Sequence, residues 1–204
     1  RKRELLRRLD AAEVMYHHFK RLLEDDLYEV RYTERGGCPC CYQSIIDYEI
    51  VQRIQRVGAV PIPGTTFLYS FKNAYIQNLG WERIRYAYGM NTFYEHGIVA
   101  AASTDAPVVD TSAVLGLQTM MTRRSEEGDV IWEEERVSLD EAVRAYTHNG
   151  AYASFEEQIK GRLAPGLIGD AVVFETDIAQ VDPGDVGSVR VDMTIADGRV
   201  VYER

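Results

Sequence analysis

HGIVAAASTDAPV, residues 96–108, is the stretch on which the fold of this chain turns. IVAAAS within it is apolar without alternation. A strand that faces solvent on one side alternates apolar and polar residues, whereas a parallel strand buried on both faces does not. Ala100, Ala101 and Ala102 suit a crowded interior, where larger side chains would collide. The run gives way at Asp105 to Ala106-Pro107, so Asp105 stands at the carboxyl end of a buried strand. In a (β/α)8 barrel that end is the active face. A carboxylate there can bind a divalent metal or take a proton from an attacking water. A loop or helix-capping aspartate would occupy the same position, and sequence position alone leaves both uses open.

On either side of this stretch helices and apolar runs alternate. DYEIVQRIQRVG has helical spacing, with Asp47 placed as N-cap and Gly58 placed to end it. AVPIPGTTF follows as a short buried strand interrupted by Pro61 and Pro63. Trp81 to Tyr88 is expected to be helical, and Asn91 to His96 to form a short helix closed by Gly97. Helix, strand, helix, strand is the alternation of a parallel α/β fold. Downstream, residues 112–124 carry Val114, Leu115, Leu117, Met120 and Met121 on one face, and Ser138 with Glu141 forms a capping box for the helix LDEAVRAYTHNGAYASF. LAPGLIGDAVVFE and VRVDMTIADGRVVYE then read as short strands, with Asp197-Gly198 suited to a type I′ hairpin turn. Upstream, residues 3–25 have helical periodicity, and residues 26–44 lose it in a loop marked by Gly36-Gly37 and Cys38-Pro39.

The chain of 204 residues has a formal net charge of −9, which argues against nucleic acid as a partner. No apolar run is long enough to span a membrane, and RKRELLRRLD lacks the apolar segment of a secretory signal. The first residue is Arg1, so the sequence is expected to begin inside a longer product. Cys38, Cys40 and Cys41 are too clustered for a disulfide framework. They are expected to be reduced thiols of a cytoplasmic protein, the alternative being a metal site that lacks a fourth ligand nearby.

Of the other candidates, His17, His18, His96 and His148 form neither an H-x-H nor an H-x-x-x-H pair, and each is expected to be structural. Arg123 and Arg124 are expected to be a helix-end charge pair rather than an anion site. Tyr69, Tyr75, Tyr86, Tyr88 and Tyr94 are expected in packing rather than lining a pocket. No nucleotide-binding glycine motif and no serine-hydrolase motif is present.

HGIVAAASTDAPV, LGLQTMMTRR, VSLDEAVRAYTHNGAYASFEEQIKGRLAPGLIGDAVVF and MTIADGRVVYE, in that order and spacing, resemble the C-terminal part of family 3 amidohydrolases. The likeness runs from about residue 47 to the end. It implies a partial (β/α)8 TIM-barrel, its late elements in residues 47–160, followed by strands of a small β-sandwich in residues 161–204, with residues 1–46 set apart. It implies hydrolysis of non-peptide C–N bonds in a small amide-like substrate with a divalent metal, zinc being the expected one. It also implies that Asp105 is the metal ligand and proton shuttle of the STDAPV motif. The family's H-x-H pair is missing, and GGCPCCYQ stands where its Glu-His-Cys block would fall. A barrel of eight strands takes about 250 residues. This chain is therefore expected to be a fragment that is inactive alone, binds no metal unaided and leaves open sheet edges. Its expected partner is a missing N-terminal half, or it forms a homo-oligomer. The alternative is a non-catalytic remnant that serves as a binding module.

Overall fold

The computed structural model describes residues 48–85 and 87–204. The N-cap Asp47, the helix expected over residues 3–25, the cysteine cluster, His17, His18 and Tyr86 lie outside the described residues. Helix α1 (Tyr48–Val57) ends at Gly58, whose φ of 67° is open to a residue without a Cβ. Residues 61–65 then run parallel to residues 98–103. Ala101 N donates to Pro61 O (3.0 Å), Ser103 N to Pro63 O (3.0 Å) and Thr65 N to Ser103 O (3.1 Å). These are the two apolar runs anticipated as buried parallel strands; they pair in parallel, but neither extends into a regular strand, and residues 59–64 are only half-buried with Ile62 exposed. Two prolines that cannot donate keep the pairing short, and its only bridge is Gly64 with Ser103.

Between the runs lie α2 (Phe67–Leu79), α3 (Trp81–Ile84) and α4 (Met90–Glu95). The helix expected over 81–88 stops after one turn. Beyond it Ala87 and Tyr88 turn inward, and Tyr88 takes a φ of 54°. Their carbonyls are held by a side chain from elsewhere, an influence that local spacing does not contain. After Asp105 comes α5 (Ala113–Thr122), capped by Ser112 Oγ accepting from Leu115 N. The long helix expected after the capping box is two. α6 (Leu139–Tyr146) and α7 (His148–Ala153) are separated at Thr147, whose φ of −119° and ψ of −91° leave the helical region. The Ser138–Glu141 box itself is formed as anticipated.

Two apolar clusters organise these elements. Val51, Phe93, Ile98, Ala100, Leu117, Met120, Ala142 and Ala145 belong to the first. Leu68, Tyr75, Ile84, Ala87, Tyr88 and Ile131 belong to the second. Arg123 joins them. It is fully buried at the left-handed C-cap of α5, rather than half of a solvated charge pair. Its Nε donates to Ile131 O (3.0 Å), Nη1 to Tyr88 O (3.2 Å) and Nη2 to Ala87 O (3.2 Å). Burial pulls its pKa down to about 10. Arg124 stays exposed. Of the tyrosines, Tyr75 and Tyr88 join hydroxyl to hydroxyl inside the second cluster, and Tyr94 donates to Ala100 O.

The outer edge of residues 98–103 is not open, contrary to expectation. Ala100 O accepts from Asn149 Nδ2 (2.8 Å) and Tyr94 Oη (3.2 Å), and Ala102 N donates to Ala145 O (3.1 Å). The chain closes with an antiparallel sheet, β1 (Ala171–Phe174), β2 (Val191–Ala196) and β3 (Arg199–Glu203), in that order. Asp197 (φ 51°) and Gly198 (φ 70°) make the two-residue turn with the positive φ pair that type I′ requires. Here an edge is open: Val200 (54%), Val201 (62%) and Tyr202 (48%) of β3 remain exposed.

Arg123→Lys keeps a buried charge but not the planar fork, so most of the carbonyl bonds are lost. Each bond to a charged donor contributes about 1.5–3 kcal/mol, and we expect about 3 kcal/mol lower stability in urea unfolding with an unchanged slope. In the sheet, Arg190, chiefly through its side chain and then its backbone N–H, and next Arg204 hold the Glu175 carboxyl down to about 2. A depressed carboxylate stabilises above its ordinary value of 4.5 and loses that contribution as pH falls to about 2. Acid titration of amide exchange in β1 and β2 should show this loss, and Glu175→Gln should abolish it.

Candidate functional site

The parallel pair places its carboxyl ends side by side. One supplies Thr65 and Thr66, the other Ser103, Thr104 and Asp105. Thr65 and Thr66 are 3% and 1% exposed, and Asp105 is exposed at the rim. Asp105 has a φ of 53°, and its N–H donates to Ser103 Oγ at 3.1 Å. A left-handed conformation is unfavourable for most residues but is visited by aspartate, and it turns the chain sharply off the strand end. Thr66 Oγ1 is buried without a hydrogen-bond partner, although Thr66 precedes the first turn of α2.

Tyr146, on the last turn of α6, reaches this rim. Its hydroxyl lies 3.3 Å from Thr65 Oγ1. Burial pushes that phenol up. It fits because position 116 of α5 is glycine: a Cβ there would come within 2.0 Å of the Tyr146 hydroxyl. The ring therefore crosses α5 at its one bare position.

The other candidates are engaged with other partners. His96 Nδ1 lies 2.8 Å from Thr92 O at the end of α4, and His148 Nδ1 lies 3.4 Å from Asn149 Oδ1. Glu135 is engaged by Thr92, through its N–H and hydroxyl. Glu127 and Asp129 are paired with Lys72, itself 7% exposed. Among the described residues, no three His, Cys, Asp or Glu side chains come together as a metal would require. The donor set at the rim is one carboxylate with neutral hydroxyls around it. Zinc in hydrolytic sites takes three protein ligands, so the described residues do not by themselves fit it.

Tyr146, Gly116, Thr65 and Thr66 stand at the rim without being among the sequence candidates. The signal for the two threonines was present: Gly64-Thr65-Thr66 ends one apolar run much as Ser103-Thr104-Asp105 ends the other. Nothing local marks Gly116 and Tyr146 as partners, because their meeting depends on how α5 and α6 pack.

In a (β/α)8 barrel the carboxyl ends of the strands form the active face, and Asp105 follows the corresponding end of this parallel pair. The sequence profile of the amidohydrolase family matches residues 19–202, and the chain belongs to that family. The match includes residues 19–46, which the resemblance set apart from the family. A Bacillus subtilis (strain 168) protein, YtcJ, described as an amidohydrolase, is 27% identical over 166 residues, covering 80% of this chain and 31% of that protein. N-substituted formamide deformylase of Arthrobacter pascens is 27% identical over 115 residues, covering 56% of this chain and 21% of the enzyme. Among solved structures, a metal-dependent hydrolase from Pyrococcus horikoshii aligns with a TM-score of 0.55 at 18% identity, over 61% of this chain and 26% of its own. The chain thus spans less than a third of the curated relatives it matches here.

Alanine in place of glycine inside a helix usually stabilises by about 0.5–1 kcal/mol. Gly116→Ala should do the reverse, because the new methyl meets Tyr146. We expect a loss of about 1–3 kcal/mol in thermal or urea unfolding, as for overpacked cores. Tyr146→Phe in the same background should recover part of it.

Proposed function

We propose that this chain supplies the proton-transferring carboxylate of a hydrolase acting on non-peptide carbon–nitrogen bonds in small amide-like substrates. Asp105 is that carboxylate. The observation that carries the proposal is its place at the carboxyl rim of the parallel pair, beside Thr65 and Ser103. In this reading residues 47–160 are late elements of a (β/α)8 barrel and residues 161–204 are strands of the small sandwich. Asp105 takes a proton as water oxygen bonds to the amide carbon. It returns the proton to nitrogen as the C–N bond breaks, giving a carboxylic acid and an amine. The formamide-cleaving relative supports this substrate class.

A divalent metal, zinc by expectation, belongs to the intact family enzyme. The described residues do not by themselves make its site. The remaining ligands would come from outside those residues, from a complementary N-terminal half or a second copy, and the chain alone would be inactive. Cytoplasmic residence is part of the same proposal, on the ground of the clustered thiols Cys38, Cys40 and Cys41. A second reading, a non-catalytic binding module, is favoured by the exposed apolar residues of β3, Val200, Val201 and Tyr202.

Metal analysis and hydrolysis of small N-acyl amides test the proposal in two proteins. These are the 204-residue chain and a longer polypeptide that joins it to the earlier strands of a family barrel. The chain alone should hold no stoichiometric zinc and turn nothing over. The longer polypeptide should be active, and Asp105→Asn should lower its kcat by about 10²–10⁴. Turnover that survives Asp105→Asn overturns the role of Asp105. Zinc and turnover in the chain alone overturn its incompetence. A stable, metal-free protein with no hydrolysis in either form would favour the binding module.

A further inference from the structure

We propose that Tyr146 is a positioning residue for Asp105, acting through the Thr65 hydroxyl and the strand pairing beneath it. This rests on Asp105 being the working carboxylate. The path is continuous. The Tyr146 hydroxyl lies 3.3 Å from Thr65 Oγ1. Thr65 N donates to Ser103 O at 3.1 Å, and Ser103 Oγ accepts from Asp105 N at 3.1 Å. Tyr146 also belongs to a short segment that grips the neighbouring run lower down. Ala145 O accepts from Ala102 N at 3.1 Å, and Asn149 Nδ2 donates to Ala100 O at 2.8 Å.

The contacts therefore climb the strand, at Ala100, Ala102 and then the rim. The uppermost is the one made by a side-chain hydroxyl through a second strand. Gly116 shows that the phenol is accommodated by design of the packing: any side chain at that position would occupy the place of the hydroxyl. A tyrosine needed for apolar filling alone would be served as well by phenylalanine. Here the polar tip is carried to a threonine that is 3% exposed and pairs directly with the residue bracing Asp105. The left-handed turn at Asp105 has a φ of 53° and keeps its geometry only while Ser103 is held.

The test uses Tyr146→Phe, Thr65→Val, the double variant and Thr65→Ser in the 204-residue chain. Amide hydrogen exchange is followed by NMR, with urea unfolding as the control for global stability. Tyr146→Phe and Thr65→Val should each speed exchange at Thr65 and Asp105 about tenfold or more, and leave Arg123 and Ile131 unchanged. The double variant should go no further than either single one, because both remove the same link. Thr65→Ser should keep wild-type rates. Unchanged exchange at Asp105, a uniform rise across the chain, or additive single effects would overturn the proposal.

In the longer, active polypeptide the same two substitutions should lower kcat with KM held, as expected when alignment rather than binding is lost. If that polypeptide hydrolyses no amide, the functional reading has failed. The exchange measurements would still decide whether Tyr146 holds the Asp105 turn.

Discussion

The pairing of residues 61–65 with 98–103 is the constraint from which the rest of the described structure follows. Its hydrogen bonds, Ala101 to Pro61, Ser103 to Pro63 and Thr65 to Ser103, set both direction and register. Parallel strands need a crossover between them, and α2 to α4 provide it. Because the strands are parallel, their carboxyl ends emerge together. A slip of one residue would exchange inward and outward groups and carry Asp105 away from Thr65. The site is thus a consequence of backbone geometry before any side chain contributes chemistry.

Polar groups buried nearby stabilise this arrangement because they are satisfied. Arg123 brings a guanidinium into the interior and offsets its desolvation with the carbonyls of Ala87, Tyr88 and Ile131. It thereby ties the two apolar clusters together at the end of α5. Asn149, 5% exposed, does the same for Ala100, on the flank that another strand would otherwise take. The 98–103 edge of the parallel pair is closed by the chain's own α4, α6 and α7, whereas the sheet at the C-terminus leaves β3 uncovered. Different ends of one chain therefore meet the edge problem differently, one by satisfying it internally and one by leaving apolar surface in water.

Family membership and the local donor set concern different extents of polypeptide. The family match covers residues 19–202, yet the chain corresponds to 31% of YtcJ. Among the described residues two strand ends meet and present one carboxylate. The family match over most of the chain therefore coexists with a described donor set too small for zinc.

Much of the fold was legible in the sequence where a short-range rule governs it. The unbroken apolar run before Asp105, the Ser138–Glu141 capping box, Gly58 and Gly97 at helix ends, and Asp197-Gly198 in the hairpin all express constraints confined to a few residues. The position of Asp105, though not its role, was legible for the same reason, since the end of the pairing can be read from where the apolar run stops. What only the tertiary structure decided was set by distant partners. The helix expected over 81–88 ends early where Arg123 takes the Ala87 and Tyr88 carbonyls. The long helix breaks at Thr147, where Ala145 and Asn149 engage the strand. Tyr146 meets Thr65 across a bare glycine. Local sequence sets which conformations are cheap, while packing between segments far apart in the chain sets which buried polar groups find partners.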